Sequence, residues 1–310
     1  MSVSEIFFHD VTKRFRDKEI LSDANFELKN GLTFMVGKNG AGKTTFISLA
    51  VGLESVDSGT VELFGKNPQK LDKNTKKKLG LQMQNDSFLR NVKVREYIKL
   101  YEALYTSETA KSGKETGKTA DVTNKVDAAK VREILELDSL LNRYAYTLSG
   151  GEKKKISLYL SILGNRKLII LDEPTAGIDV QVKDKIVYVI KYLRDCGINL
   201  LVSSHDLEEF YSIADNILML DCGIVYDGSK AVFEEKYGYG YRICADKEIA
   251  DDNILVGRLF ENRYLYGRDK ETLAKYFPLE EVEKTTAKDL YQIALLSGKT
   301  NPTPSGKENR

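Results

Sequence analysis

The sequence predicts an α/β fold built on a mixed β-sheet, and three observations lead to that prediction. Residues 168–172 and 198–204 are almost wholly apolar, as in strands covered on both faces, and a helical pattern lies between them. Residues 32–36 form a strand pattern that leads through a glycine-rich segment into a helical pattern. The residues before 32 contain further short strand patterns, which indicate a β subdomain at the start of the chain.

The patterns further along predict one large domain over residues 1–230 and a small α+β accessory domain over 231–297. Within the large domain, residues of about 85–165 are mostly helical and predict a helical subdomain, interrupted by a polar surface insertion over about 106–125. A hairpin is expected to turn at Asp221 to Gly223, just before the Tyr-rich accessory domain. Residues 298–310 are polar and contain proline, which predicts a disordered tail.

The composition restricts the classes of function that fit the chain. Its 47 Lys and Arg nearly balance 46 Asp and Glu, so no overall charge favours nucleic acid, and no nucleic-acid partner is expected. No apolar run approaches the roughly 18 residues that span a bilayer, and the N-terminus does not resemble a signal peptide, so we expect a chain that stays in the cytosol. Cys196, Cys222 and Cys244 lack CxxC spacing and are expected to be buried, reduced thiols.

The glycine-rich segment GKNGAGKTT matches the pattern of a loop that binds phosphate groups. Its glycines allow the backbone to wrap closely, so that N–H groups and the start of the next helix point at phosphate oxygens. Lys43 would neutralise the β- and γ-phosphates, and the hydroxyl of Thr44 would bind Mg²⁺. A chance match to an ordinary turn is the alternative, and the flanking strand and helix disfavour it. The residues expected to bind the nucleotide here are Gly37, Asn39, Gly40, Ala41, Gly42, Lys43, Thr44 and Thr45.

Two carboxylates follow the apolar strand at residues 168–171, at the strand end where open α/β sheets bind ligands. Asp172 can hold Mg²⁺ through water, and Glu173 can act as a general base on the attacking water. A simple strand cap would be the preferred interpretation if the phosphate loop were absent.

A third segment, LSGGE at residues 148–152, would alone predict only a Ser N-cap that opens a helix. In combination with the phosphate loop and the DEPT segment at residues 172–175, it resembles the signature of the ABC ATPase family, whose usual form is LSGGQ. The resemblance covers about residues 1–230 and implies a P-loop NTPase fold of the ABC type, with ATP and Mg²⁺ as ligands. The signature residues that it assigns to nucleotide binding are Ser149, Gly150, Gly151 and Glu152.

The same resemblance assigns roles to four further positions. Phe15 matches the aromatic residue that stacks on adenine, although a core aromatic is the alternative. Gln84 matches the glutamine that contacts Mg²⁺ and water, with Gln82 as a competitor two residues away. Asp179 matches the loop that crosses a dimer interface, and His205 matches the histidine that contacts the γ-phosphate.

The family resemblance also implies partners. Two such subunits would meet head to tail, with ATP between the phosphate loop of one and the signature of the other, and a homodimer is expected. A separate transmembrane permease would hold the pair at the cytoplasmic face of the membrane. The segment after residue 231 resembles the C-terminal extension of drug- and peptide-export subunits of the ABC-2 type, which favours export. An importer subunit and an ABC ATPase without a transport role remain the alternatives.

The sequence departs from the family pattern in two places. Lys155 stands where the family usually has Arg, and Tyr159 stands where Ala is common, so the packing of the signature helix is expected to differ. The polar insertion over about 106–125 is longer than usual for the family.

Overall fold

The computed structural model describes residues 5–15, 18–85, 87–105, 126–246, 249–251, 253–259 and 262–299. The chain forms two compact units, Met1–Ile224 and Val225–Arg310. This division lies slightly before residue 230, where the sequence pattern predicts it. No helix within the described ranges combines the length and the apolar character that crossing a lipid bilayer requires.

A parallel sheet forms the centre of the first unit. Its strands are β3 (Leu32–Val36), β5 (Leu79–Gln82), β6 (Leu168–Asp172), β7 (Asn199–Ser204) and β8 (Asn216–Leu220), in the order β5-β6-β7-β3-β8. The next strand, β9 (Ile224–Ser229), follows β8 in this sheet and contains the division between the units. Because β5, β6, β7 and β3 run parallel, their carboxyl ends lie at one edge, and the predicted phosphate loop and carboxylates follow those ends.

An antiparallel sheet lies at the start of the chain, as predicted. It contains β1 (Ile6–Phe15), β2 (Lys18–Glu27) and β4 (Ser58–Leu63) in the order β2-β1-β4. The rings of Phe8 and Phe46 stack with centroids 4.4 Å apart, and Phe26 meets Phe46 edge to face at 5.1 Å. These contacts pack α1 (Lys43–Ala50) against the antiparallel sheet and so fix the helix that follows the phosphate loop.

The helical region contains α3 (Val94–Tyr105), α4 (Ala128–Ile134) and α5 (Gly150–Ile162), while α2 (Lys73–Lys76) precedes β5 and α6 (Val180–Asp195) connects β6 to β7. The predicted insertion over residues 106–125 lies outside the described residues. The helical pattern over residues 130–144 does not form one continuous helix, because Glu136 adopts a left-handed backbone conformation (φ 55°) between α4 and a short 3₁₀ turn.

The second unit contains a four-stranded sheet of order β11-β12-β10-β13. Its elements are α7 (Lys230–Tyr237), β10 (Tyr241–Cys244), β11 (Ile254–Leu259), β12 (Asn262–Gly267), α8 (Lys270–Ala274), β13 (Glu283–Lys284) and α9 (Ala287–Lys299). Asp289, at the start of α9, is fully buried and accepts hydrogen bonds from both Arg242 (2.9 Å) and Tyr266 (3.1 Å). Residues 298 and 299, expected to begin a disordered tail, are the last residues of α9, and residues 300–310 lie outside the described ranges.

The expectation that all three cysteines are buried is wrong. Cys222 and Cys244 are exposed, Cys196 is partly buried, and none of the three forms a disulfide. Two of the cysteines are exposed because of where the strands end. Cys222 lies in the turn between β8 and β9, and Cys244 is the last residue of β10.

Candidate functional site

The loop between β3 and α1 has the geometry of an anion-binding turn. Gly40 and Gly42 have left-handed backbones, with φ of 82° and 102°. A Cβ atom at Gly42 would lie 2.7 Å from Cγ2 of Ile20, so a side chain would not fit there. Gly42 also caps α1 without any side-chain hydrogen bond, which leaves N–H groups of the first turn for an anionic ligand.

A cleft of about 410 Å³ lies over this loop. The predicted residues Asn39, Gly40, Gly42, Lys43, Thr44, Thr45, Gln84 and Glu173 line it, together with Lys18, Ile20 and Lys38. The carbonyl oxygen of Gly37 accepts a hydrogen bond from Lys43, and Ala41 of the same loop is only 4% exposed. The lysines that line the cleft suit an anionic ligand such as a triphosphate.

Lys43, Glu173 and His205 meet in one cluster, although the three come from different strand ends. The Lys43 ammonium lies 3.2 Å from Oε1 of Glu173 and also donates to the carbonyl oxygen of Gly37 at 2.7 Å. Nδ1 of His205 lies 2.8 Å from Oε2 of Glu173. Because an ionised carboxylate only accepts hydrogen bonds, the Nδ1 atom carries the proton in this contact. Glu173 has a left-handed backbone (φ 49°), an uncommon conformation for a residue with a side chain.

Asp172 lies behind this cluster at the end of β6 and is fully buried. The Oγ atom of Ser203 donates to Oδ1 of Asp172 at 2.5 Å, and this Oγ atom also accepts from the backbone N–H of Glu173 at 2.9 Å. Oδ2 of Asp172 has no hydrogen-bond partner among the described residues. A buried carboxylate oxygen without a partner is costly, and oxygen is the ligand that Mg²⁺ prefers, so the residues present fit a magnesium ion.

The structure distinguishes between the two glutamines near the end of β5. Gln82 is the last residue of the strand and is 1% exposed inside the first unit. Gln84 lies two residues beyond the strand and lines the cleft. The placement favours Gln84 over Gln82 as the residue able to contact a ligand there.

Phe15 ends β1 and is 44% exposed, so it is not a core aromatic. The ammonium of Lys13 lies 5.0 Å from the centre of its ring. Lys13 is itself buried and donates to the carbonyl oxygen of Ser55 at 2.7 Å, which holds it in place. Phe15 does not belong to the described lining of the cleft, so stacking on adenine stays a prediction for this exposed ring.

The signature residues form the start of α5 and lie outside the lining of the cleft on their own chain, as far as the structure describes it. Ser149 caps the helix by accepting from the N–H of Glu152 at 3.3 Å, and Glu152 accepts from the N–H of Ser149 at 2.8 Å. The other carboxylate oxygen of Glu152 pairs with Arg143 at 2.5 Å. Partial burial disfavours the ionised form, but the Ser149 amide and the Arg143 guanidinium outweigh it and hold the pKa of Glu152 below its ordinary value.

This capping arrangement gives one predicted residue a structural role as well. Both carboxylate oxygens of Glu152 are engaged within the chain, so its side chain orients the helix start, while its contact with a nucleotide stays a prediction. Gly150 has open space where a Cβ atom would lie, and both Ser149 and Gly150 are exposed. The exposed N-terminus of α5 can therefore present N–H groups to an anion on another molecule.

Asp179 caps α6 by accepting from the N–H of Val182 at 3.0 Å and is exposed outside the described lining of the cleft. Further along α6, Lys183 pairs with Asp206 at 3.1 Å and with Glu209 at 3.3 Å, and both carboxylates lie in the loop that begins with His205. Burial disfavours its charge, but these carboxylates outweigh burial and raise the pKa of Lys183. This pairing holds the His205 loop against α6.

Sequence reasoning missed several residues that build the site. Lys18 and Ile20 line the cleft from β2, and Lys18 donates to the carbonyl oxygen of Gly40 at 3.2 Å. Ser203 connects Asp172 to the Glu173 backbone. The signal for Ser203 was present, since it is the second-last residue of a buried strand beside the one that carries the carboxylates, whereas Lys18 lies in a segment without a distinctive pattern.

Comparison with known proteins supports the same family. A protein-family model described as ABC transporter matches residues 21–176. The mouse (Mus musculus) glucosylceramide transporter ABCA12 is 31% identical over 78% of this chain, which spans only 9% of the transporter's length. The Nod factor export ATP-binding protein I of Burkholderia orbicola is 27% identical over 77% of this chain and 75% of its own length. The molybdate/tungstate import ATP-binding protein WtpC of Methanocaldococcus jannaschii is 26% identical over 86% of this chain and 89% of its own.

A solved structure shares the fold. The structure described as the ATP binding subunit of an ABC transporter superimposes with a TM-score of 0.63, at 18% identity, over 76% of this chain and 94% of that one. At this identity the similarity shows the fold alone. The shared fold agrees with the predicted α/β architecture built on a mixed β-sheet.

Proposed function

This chain belongs to the ABC transporter family of ATP-binding, ATP-hydrolysing domains, and from that premise we propose that it powers a transporter whose membrane-spanning part is a separate polypeptide. The observation that carries the proposal is the contact of Lys43 and Glu173, which line the cleft, with each other and of Glu173 with His205. An ammonium, a carboxylate and an imidazole at one point are the groups that phosphoryl transfer to water needs.

In the proposed reaction, each side chain has a distinct task. The triphosphate binds the N–H groups of the phosphate loop and the ammonium of Lys43. This anion then competes with Glu173 for Lys43 and releases the Glu173 carboxylate to accept a proton from the attacking water. His205, held by Glu173 through Nδ1, presents its other ring nitrogen to the terminal phosphate.

Three residues suit the magnesium ion that accompanies ATP. The unpartnered Oδ2 of Asp172, the hydroxyl of Thr44 and the side-chain oxygen of Gln84 are the proposed ligands, directly or through water. When bound, Mg²⁺ would neutralise charge on the phosphate oxygens.

The position of the signature supports a head-to-tail dimer of two such chains. Ser149, Gly150 and Gly151 lie at an exposed helix start, away from the described lining of their own cleft. An anion-binding helix start without a local anion site can serve the cleft of a second copy. Asp179 lies near this region, since Val182 of its helix comes within 3.6 Å of where a Cβ atom at Gly151 would be.

We infer export as the direction of transport, with the chain peripheral on the cytoplasmic face of a membrane through its permease. The inference rests on the C-terminal segment, whose small α+β unit suits the export subunits better than the larger β-rich modules of importers. Relatives named for export and for import both match, so an importer subunit is the second candidate. An ABC ATPase without a transport role is the third.

The test is recovery of the tagged chain from detergent-solubilised membranes of its own cell, with ATP and the Glu173→Gln change to hold the closed dimer. We expect a stoichiometric polytopic membrane protein to be recovered with it, and that protein to be lost with the Lys43→Ala variant. Recovery of ribosomes or DNA without a membrane protein would instead establish an ABC ATPase with no transport role. Sequencing the recovered permease, followed by transport assays in vesicles, distinguishes export from import.

A further inference from the structure

We propose that Lys154 is a positioning residue that holds Gln84 at the cleft and connects it to the signature at the start of α5. The inference rests on the role of Gln84 proposed above. Lys154 is only 7% exposed, and its ammonium donates to the main-chain carbonyl oxygen of Gln84 at 2.7 Å. A buried ammonium is costly unless it is hydrogen-bonded, so this contact fixes both partners.

The hydrogen bond from Lys154 reaches a part of the backbone that lies beyond the end of strand β5. Strand β5 ends at Gln82, so Gln84 lies two residues beyond the last residue of the strand. A charge-assisted hydrogen bond to the carbonyl oxygen orients the peptide group and with it the direction in which the side chain leaves the backbone. The Lys154 contact therefore determines how the Gln84 side chain enters the cleft that it lines.

The helix start that carries Lys154 is held in place by further contacts. Lys154 lies two residues after Glu152, within the stretch of α5 that the capping box orders. Arg143 braces this helix start through Glu152. The backbone N–H of Ala145, near Arg143, also donates to the carbonyl oxygen of Val92 at 2.9 Å, so the segment that enters α3 is tied to the same region.

These contacts make the helix start a common support for two functional groups. One is Gln84 in the chain's own cleft, and the other is the exposed N-terminus of α5, which we propose completes the cleft of a second copy. A displacement of Gln84 on ligand binding would be transmitted through Lys154 to the signature residues, because the helix start is rigid and the bond is short.

The experiment is a double-mutant cycle in the full chain, measuring kcat and KM for ATP hydrolysis. Lys154→Met is made in the wild-type and in the Gln84→Ala background, since the latter removes the side chain but leaves the carbonyl oxygen in place. We expect Lys154→Met to lower kcat about tenfold with little change in KM in the first background, and by less than about twofold in the second. Lys154→Arg, which keeps the charged donor, should restore most of kcat.

Lys153→Met is the matched control, because it removes a lysine from the same helix turn without touching Gln84, and it should leave kcat unchanged. If Lys154→Met unfolds the chain, as its thermal transition would reveal, Lys154→Ala, which also lacks the donor, takes its place in the same cycle. An equal loss of kcat in both backgrounds, or none in either, would overturn the inference. Failure of the proposed role of Gln84 gives a different result, namely that Gln84→Ala alone leaves kcat unchanged.

Discussion

Replacing Glu173 with Gln tests both the chemistry and the electrostatics of the cleft. The carboxylate is 4% exposed, and its two oxygens contact Lys43 at 3.2 Å and His205 at 2.8 Å. Glutamine has the same shape but carries no negative charge and cannot accept the proton of the attacking water. The change therefore removes the base and also removes the anion that competes with ATP for Lys43.

The distances set the expected size of both effects. Unit charges 3.2 Å apart interact with roughly 5 kcal/mol at an effective dielectric constant near 20, although the desolvation of both groups offsets most of it. If about 1.4 kcal/mol of that competition is relieved, ATP binds about tenfold more tightly. Loss of a general base lowers turnover by about 10² to 10⁴, so kcat should fall at least a hundredfold.

The assay combines ATP titration by calorimetry with phosphate release, because the chain has no tryptophan to report binding by fluorescence. Glu136→Gln is the matched control, since it neutralises a glutamate paired with a lysine, Lys185 at 2.6 Å, away from the cleft. Turnover of Glu173→Gln within about threefold of wild type would refute the assignment of the base, and weaker ATP binding would refute the argument about Lys43.

Three further predictions concern the structure around the site and in the second unit. Ser203→Ala leaves the Glu173 N–H and one oxygen of Asp172 without their buried partner, so thermal melting should show a loss of about 1–3 kcal/mol, and an unchanged melting temperature would contradict this. Asp289→Ala leaves the Arg242 guanidinium without its buried partner and should lower the free energy of unfolding of the second unit by about 3–5 kcal/mol in chemical denaturation. Glu283→Ala removes an exposed partner of Arg242 and should lower it by less than about 1 kcal/mol. Equal losses would show that burial does not decide the effect. The pKa of Glu152 in the folded chain lies below its ordinary value of 4.5, so the stabilising effect of the ionised carboxylate is present above that pH and is lost as the pH falls through the folded pKa. The difference in free energy of unfolding between wild type and Glu152→Gln should therefore be constant near neutral pH and shrink in acid. A difference that grows in acid would contradict this prediction.

The sequence predicted the parts of the site whose signals are local. The phosphate loop has its strand, glycines and helix in one short segment, and the carboxylates were expected at the strand end where open α/β sheets bind ligands, which is where Glu173 contacts Lys43 and His205. The choice between Gln82 and Gln84 needed the structure, because residues two apart share a face of a strand and only the end of β5 at Gln82 separates them.

Contacts between distant segments were beyond sequence reasoning. Nothing in the local pattern distinguishes Lys154 from the lysines beside it, and its partner Gln84 lies 70 residues earlier. The pairing of Arg143 with Glu152 was missed as well, since nothing in LSGGE distinguishes a carboxylate that binds a ligand from one that caps its own helix. The break at Glu136 lacked the usual glycine of a left-handed helix end, and the tertiary structure overrides the local preference there.

In the proposed head-to-tail dimer the cleft of one chain is completed by the signature of another, and mixing two inactive variants tests this arrangement. Glu173→Gln disables a chain's own cleft, while Gly150→Asp places a negative charge at the signature, where the open space around Gly150 and the helix N-terminus accommodate it. ATP hydrolysis is measured for each variant alone, for an equal mixture, and for wild type.

We expect each variant alone to be inactive and the mixture to recover about a quarter of wild-type activity, because half of the dimers are mixed and each of these has one intact site. A mixture that stays as inactive as its components, beside an active wild type, would contradict a site shared between two chains.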